Sequence, residues 1–160
     1  MIYQLATEPT GRQYAHLIDV AKTYCSRFLL VERHDLSLGQ RAKDVIAALD
    51  RFLLAHAEAS EWPGTRLIGH AALVREYTFD DDSAEALVAW APRLYTWQQP
   101  DMLEDLCLLQ SDRLPWLITI AHEGDGYLVL GPNAAQLLQA GGLRIGELPE
   151  MPMPKAVPML

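Results

Sequence analysis

The most informative stretch of this chain is LEDLCLLQSDRLPWLITIAHEGDGYLVL, residues 103–130. It consists of three short apolar runs separated by two polar segments, residues 111–113 and 123–126. Short apolar runs that alternate with polar and glycine-containing turns are typical of antiparallel strands joined by hairpins. The stretch therefore predicts a three-stranded antiparallel meander.

Outside the meander, helical and strand patterns alternate along the chain. Apolar residues at i, i+3, i+4 and i+7 predict helices over residues 11–23 and 38–59, a short helix after the acidic run 80–82, and a small helix from 132 to 140. The helix over 38–59 has the clearest apolar stripe, and a capping box begins before it at Ser37. Strands are predicted at 2–6, 26–33 and 66–79, although the last segment also tolerates a helix.

These elements fit one domain. A chain of 160 residues, 50% of them hydrophobic, can bury one substantial core. We predict an α+β fold over residues 1–148, in which a mixed, mostly antiparallel sheet carries the C-terminal meander and the amphipathic helices pack on it. The last segment, residues 149–160, contains four prolines and three methionines. We expect it to be disordered or to lie extended over an apolar surface.

Nothing in the sequence indicates export or membrane insertion. No apolar run approaches the roughly 18 residues that cross a bilayer, and the first residues lack the basic and apolar regions of a signal peptide. We therefore expect a cytoplasmic protein. Cys25 and Cys107 both lie in apolar runs, and we expect buried free thiols.

The negative charge is concentrated in the second half of the chain. The formal net charge is -8; residues 1–79 contain nine basic and nine acidic side chains, whereas residues 80–160 contain four and twelve. This distribution repels phosphate backbones and anionic lipids, so we expect neither nucleic-acid nor membrane binding. It would attract a basic protein partner, although acidic charge also serves solubility alone.

Two acidic groups stand on either side of the third predicted helix and its following loop. Aromatic anchors surrounded by carboxylates are suited to gripping a basic protein surface. The predicted partner-binding residues are Asp80, Asp81, Asp82, Trp97, Asp101, Glu104, Asp105, Glu123 and Asp125. The alternative is that Trp97 is a core residue and that the carboxylates are solvated helix caps.

His122, Glu123 and Asp125 also allow a catalytic interpretation, as a small hydrolase or transferase. If Gly124 and Asp125 form a two-residue hairpin loop, His122 faces Tyr127, and neighbouring residues of a strand point to opposite faces. His122 and Glu123 would then not converge on one ion, so the spacing predicts no metal and no cofactor. No nucleotide-binding, zinc-binding or nucleophile motif occurs elsewhere.

Segment 101–130 resembles small bacterial proteins of the toxin-immunity kind. The resemblance rests on Glu104-Asp105-Leu106 before a strand, Pro115-Trp116-Leu117 opening the next and Ile120-Ala121-His122-Glu123 closing it, and covers about a fifth of the chain. In such systems a cytosolic α/β protein is encoded beside an effector and neutralises it by binding. The resemblance implies a non-enzymatic inhibitor of a cognate toxin or effector. Self-association as a homodimer, with residues 149–160 docking on a neighbour, is a further alternative.

Overall fold

An eight-stranded antiparallel sheet forms the centre of the molecule. The computed structural model describes residues 1–160. The sheet strands are β1 (Ile2–Leu5), β2 (Cys25–Arg33), β3 (Leu53–Ala59), β6 (Ala72–Thr78), β7 (Glu104–Gln110), β8 (Pro115–Ile120), β9 (Asp125–Val129) and β10 (Ile145–Glu147). Their order in the sheet is β10-β1-β9-β8-β7-β2-β6-β3. Strands β4 (Glu61–Trp62) and β5 (Thr65–Arg66) form a separate hairpin. The helices are α1 (Arg12–Tyr24), α2 (Gln40–Leu49), α3 (Asp81–Trp90) and α4 (Pro132–Ala140).

The predicted α+β fold is confirmed, and so is the meander. Strands β7, β8 and β9 are consecutive in the chain and neighbours in the sheet, and both pairings are antiparallel. The predicted strand in residues 66–79 is confirmed as β6, which pairs with β2 and β3. The sheet is entirely antiparallel rather than mixed.

The larger part of the core lies between one face of the sheet and the helices. Because side chains alternate along a strand, Phe28 and Leu30 of β2 pack with helix residues, whereas Leu29 and Val31 point to the opposite face. None of the helices combines the length and the apolar character that crossing a membrane requires.

The opposite face of the sheet is covered by the β4–β5 hairpin and by residues 149–160. Trp62 of the hairpin packs in the same cluster as Ile118 of β8, and Val157 packs against that cluster. The backbone N–H of Val157 donates to the carbonyl of Arg113 at 3.0 Å. The Arg113 guanidinium donates to the carbonyls of Val157 at 2.8 Å and Pro158 at 3.1 Å. Residues 157 and 158 of the C-terminal segment are therefore attached to this face, with Val157 against the apolar cluster.

The predicted helix over residues 38–59 is wrong in its second half. Helix α2 ends at Leu49, a 3-10 turn covers Asp50–Phe52, and the remaining residues form the edge strand β3. The alanine-rich sequence of β3 favours a helix by only fractions of a kcal/mol per residue, and backbone pairing with β6 outweighs that preference. The cap of α2 is Gly39 without a side-chain hydrogen bond, so the capping box at Ser37 is also not formed.

Candidate functional site

The two acidic groups lie at opposite ends of the sheet. Strand β2 runs antiparallel to both of its neighbours, so its last residues lie beside the start of β7 and its first residues beside the end of β6. We call these the Glu104 end and the Asp80 end. Glu104 pairs with Val31, whereas the N–H of Phe79, next to Asp80, donates to the carbonyl of Ser26. Five residues along β2, about 17 Å at the usual rise per residue, therefore separate the two groups. The two acidic groups therefore do not form one continuous surface.

At the Asp80 end, the carboxylates already have partners within the chain. Asp80 is the N-cap of α3 and accepts a hydrogen bond from the backbone N–H of Ser83 at 2.9 Å. Asp81 lies 3.3 Å from the ammonium of Lys22, and Asp82 lies 3.9 Å from the guanidinium of Arg51. These carboxylates are exposed, but helix capping and ion pairing explain their presence.

At the Glu104 end, three predicted surface residues are buried. Trp97 is fully buried, and its indole N–H donates to the hydroxyl of Tyr14 at 3.0 Å. Glu104 and Asp105 are each only 2% exposed. The expected outward-facing role of these three residues is wrong, because each side chain points into the molecule. Asp101 and Glu123 are exposed and Asp125 is half-buried, as a docking surface requires.

The buried carboxylates instead meet a histidine. Glu104, Asp105 and His122 each offer one ligand atom, and these three atoms lie within 4.8 Å of one another. We call this group the Glu104–Asp105–His122 cluster. The side chain of His122 is 45% exposed, so the cluster is closed by protein on the carboxylate side and open to solvent at the imidazole.

A β-bulge lets two adjacent residues of β7 point to the same place. Strand β7 pairs Glu104 with Val31 and Cys107 with Leu29, so it contains one residue more than β2 over this interval. Asp105, within the bulge, has a φ of 56°, a left-handed conformation that aspartate tolerates better than most residues. The bulge cancels the usual alternation of side chains, which is why Glu104 and Asp105 converge.

Backbone and indole N–H groups hold the two carboxylates in place. Asp105 accepts hydrogen bonds from the backbone N–H of Ala121 and from the indole N–H of Trp62, both at 3.0 Å. Glu104 Oε1 accepts from the backbone N–H of Gln99 at 2.8 Å, while Glu104 Oε2 is buried and has no hydrogen-bond partner. Three separate segments of the chain, at Trp62, Gln99 and Ala121, therefore hold the two carboxylates in place.

The electrostatics of the cluster disfavour two negative charges. Burial raises the pKa of Glu104, and the neighbouring charge of Asp105 raises it further, against the lowering effect of the Gln99 N–H. Burial is also the largest influence on Asp105 and raises its pKa, although its two N–H donors lower it. Neither carboxylate forms an ion pair with a lysine or arginine.

The sequence suggests a site of His122, Glu123 and Asp125, but in the structure His122 converges with Glu104 and Asp105 instead. A 3-10 turn at Ala121–Glu123 makes the connection from β8 to β9 longer than a two-residue loop, so Tyr127 pairs with Ile118 and not with His122. Glu123 lies 3.8 Å from His122 as an exposed neighbour, and Asp125 pairs with Ile120. The missed signal is an acidic pair inside the apolar run 102–109.

The two cysteines are free and buried, as expected. Burial raises the pKa of both thiols, so neither is a ready nucleophile. Comparison of the chain with protein-family models, with curated proteins and with solved structures returns no match.

Proposed function

We propose that this protein is an immunity-type inhibitor that binds and neutralises a cognate toxin or effector in the cytoplasm of the producing cell. The observation that supports the proposal most is the surface charge of residues 80–160. Of the twelve acidic side chains in this half, only Glu104 and Asp105 are buried. The half contains only four basic residues, so its surface attracts a basic partner.

The contact surface is centred on the Glu104 end. Asp101, Glu123 and Asp125 lie on the loops and the strand start around the buried cluster, and none of them forms an ion pair with a lysine or arginine. Unpaired carboxylates can pair with the lysines and arginines of a partner without first breaking a bond within the chain. The Asp80 end is a secondary contributor, because Lys22 and Arg51 already hold Asp81 and Asp82.

The proposal is tested by asking whether this chain protects cells from the toxic effect of its expected partner. The protein encoded beside this gene is expressed in cells with and without this chain, and the growth of the cells is measured. Binding of the two purified proteins is measured separately. We expect the wild-type chain to restore growth. We expect the triple charge reversal Asp101→Lys, Glu123→Lys, Asp125→Lys to abolish protection and to lower the association rate by at least about tenfold at low salt.

A matched control separates a specific surface from net charge. Glu85, Glu147 and Glu150 are exposed, and reversing all three changes the net charge by the same amount at other positions. The control triple is expected to keep protection. If both triple variants lose protection equally, the effect is one of net charge and not of a specific surface. If the protein encoded by the adjacent reading frame is harmless when expressed without this chain, the proposal is wrong.

A small hydrolase or transferase is the second candidate. It is favoured by the convergence of His122 with two carboxylates, which are Glu104 and Asp105 rather than Glu123 and Asp125. Hydrolysis of nitrophenyl esters and phosphates that is lost in His122→Ala and kept in Glu123→Gln would support it. Homodimer formation stays a prediction, which the mass in solution with and without residues 149–160 tests.

A further inference from the structure

We propose that Glu104, Asp105 and His122 form a binding site for one divalent transition-metal ion, with Zn²⁺ bound more tightly than Mn²⁺. This inference does not rest on the immunity-type function. A metal-binding inhibitor and a metal-binding enzyme are both compatible with it, and the experiment below measures the metal directly.

The donor set fits such an ion. Two carboxylates and one imidazole are oxygen and nitrogen ligands of the kind that Zn²⁺ and Mn²⁺ accept, and affinity for a given site rises from Mn²⁺ to Zn²⁺. The three ligand atoms lie within 4.8 Å of one another. Around a tetrahedral ion with bonds of about 2.1 Å they would lie about 3.4 Å apart. The half-exposed imidazole can close this gap, because only one side of it is packed in protein.

One carboxylate oxygen of the cluster, Oε2 of Glu104, has no hydrogen-bond partner. Glu104 is 2% exposed, and its Oε2 is a buried acceptor without a donor. An unsatisfied buried carboxylate oxygen costs stability, so its presence calls for a ligand. A cation that enters from the solvent side of His122 would satisfy this oxygen.

The surroundings resemble an outer coordination shell. Carboxylates that bind metals are themselves oriented by hydrogen bonds, and a carboxylate oxygen that accepts one N–H still has a second lone pair. Gln99 orients Glu104, while Ala121 and Trp62 orient Asp105. The exposed side of His122 leaves room for water as a further ligand.

The local charge also favours a cation. The two carboxylates are adjacent, buried and without an ion pair to lysine or arginine. The guanidinium of Arg33 acts on both carboxylates through its charge, but it is engaged with Asp35 at 2.7 Å. A divalent ion would neutralise both charges in one step.

Calorimetric titration of the chelator-stripped full chain with Zn²⁺ and Mn²⁺ tests the proposal. We expect one equivalent of Zn²⁺ to bind, more tightly than Mn²⁺, and to raise the midpoint of thermal unfolding. His122→Ala and Glu104→Gln should each weaken Zn²⁺ binding at least about tenfold, the lower limit seen even for outer-shell partners. Circular dichroism verifies that both variants are folded.

His34→Ala is the matched control. The side chain of His34 is 49% exposed and contacts the carboxylate of Glu58 at 2.8 Å, so it is a comparable surface histidine with one carboxylate. This variant should bind Zn²⁺ like the wild type. If the wild type binds no stoichiometric Zn²⁺, or if His34→Ala weakens binding as much as His122→Ala, the proposal is wrong.

A second readout locates the ion without any substitution. Mn²⁺ broadens NMR signals of nearby protons, and the indole N–H of Trp62 is hydrogen-bonded to Asp105. Substoichiometric Mn²⁺ should therefore broaden the Trp62 indole signal before the amide signals of residues 81–83 at the Asp80 end. The reverse order would place the ion elsewhere and overturn the assignment.

Discussion

Glu76 and Glu104 are buried glutamates on the two strands that flank β2, and their surroundings differ. Glu76, on β6, accepts a two-pronged interaction from the guanidinium of Arg113 and lies 3.4 Å from Arg27. Glu104, on β7, receives one backbone N–H and forms no ion pair with a lysine or arginine. The first carboxylate has two arginine counterions within the chain, whereas the second has no lysine or arginine beside it.

The role of a buried acid depends on whether the chain supplies its counterion. A buried acid that is paired with an arginine has a structural role, because the pair can hold neighbouring segments in place. Here the guanidinium of Arg113 also binds the carbonyls of residues 157 and 158. An acid that is buried, fixed by N–H donors and left without a counterion costs stability that the fold does not recover.

Removing the partner of Glu76 should have the largest effect. Arg113→Met leaves Glu76 buried without its main counterion and releases two hydrogen bonds to the tail. We expect the free energy of unfolding to fall by about 3 kcal/mol, measured by urea denaturation. The double variant Glu76→Met, Arg113→Met should recover much of this loss. Arg66→Met, which breaks an exposed pair with Glu61, should cost less than about 0.5 kcal/mol.

Removing Asp105 should have the next largest effect. Asp105→Ala deprives the indole N–H of Trp62 and the backbone N–H of Ala121 of their acceptor, and each buried donor without a partner costs about 1 to 3 kcal/mol. Because the substitution also removes a buried charge without a counterion, which offsets part of this cost, we expect a net loss of about 2 to 3 kcal/mol. Asp105→Asn keeps one acceptor and tolerates the positive φ, so it should cost less. Equal losses in the two variants would contradict the hydrogen-bond explanation.

Neutralising Glu104 should have a small effect of the opposite sign. Because burial raises its pKa, the ionised form destabilises the fold above that pKa, and this penalty disappears as the pH falls through it. Glu104→Gln keeps the acceptor for the Gln99 N–H and removes the charge. We expect the metal-free protein at pH 7 to be unchanged or up to about 1 kcal/mol more stable. A loss above about 1 kcal/mol would show that the charge is already compensated within the chain.

The smallest effect concerns the thiol beside the cluster. Cys107 lies two residues after Asp105 on β7, and burial raises the pKa of both Cys107 and Cys25. Neither thiol should react with a disulfide reagent at pH 8 in the native protein within minutes, and both should react in denaturant. Rapid native reaction of Cys107 would mean that water reaches β7, and the burial of Glu104 would have to be reconsidered.

The strands of the sheet could be predicted where neighbouring residues alone show the pattern of apolar runs and polar turns. The meander has strong apolar runs with polar turns between them, and it forms as predicted. Residues 53–59 could not be placed in the same way, because their alanines favour a helix and only the distant partner strand β6 makes them a strand. The pairing of these two strands is a property of the whole sheet.

The site was less predictable than the fold. His122 was recognised as a chemically useful residue, but its partners lie on another strand and meet it only through the bulge at Asp105. A bulge shifts side chains by one position, so an argument from strand alternation gives the wrong neighbours. The exposure of an acid is likewise not a local property; Asp101 and Glu104 are three residues apart, and only the first is at the surface.

The sheet order has a consequence for the newly made chain. Strand β1 lies between β9 and β10, and Ile2 pairs with Val129. At about 5 to 20 residues per second, the ribosome synthesises β9 several seconds or more after β1. During this time the apolar side chains of Ile2 and Leu5, which are buried in the folded protein, have no partner strand to cover them. Nascent chains are therefore open to chaperones at this strand until synthesis reaches β9.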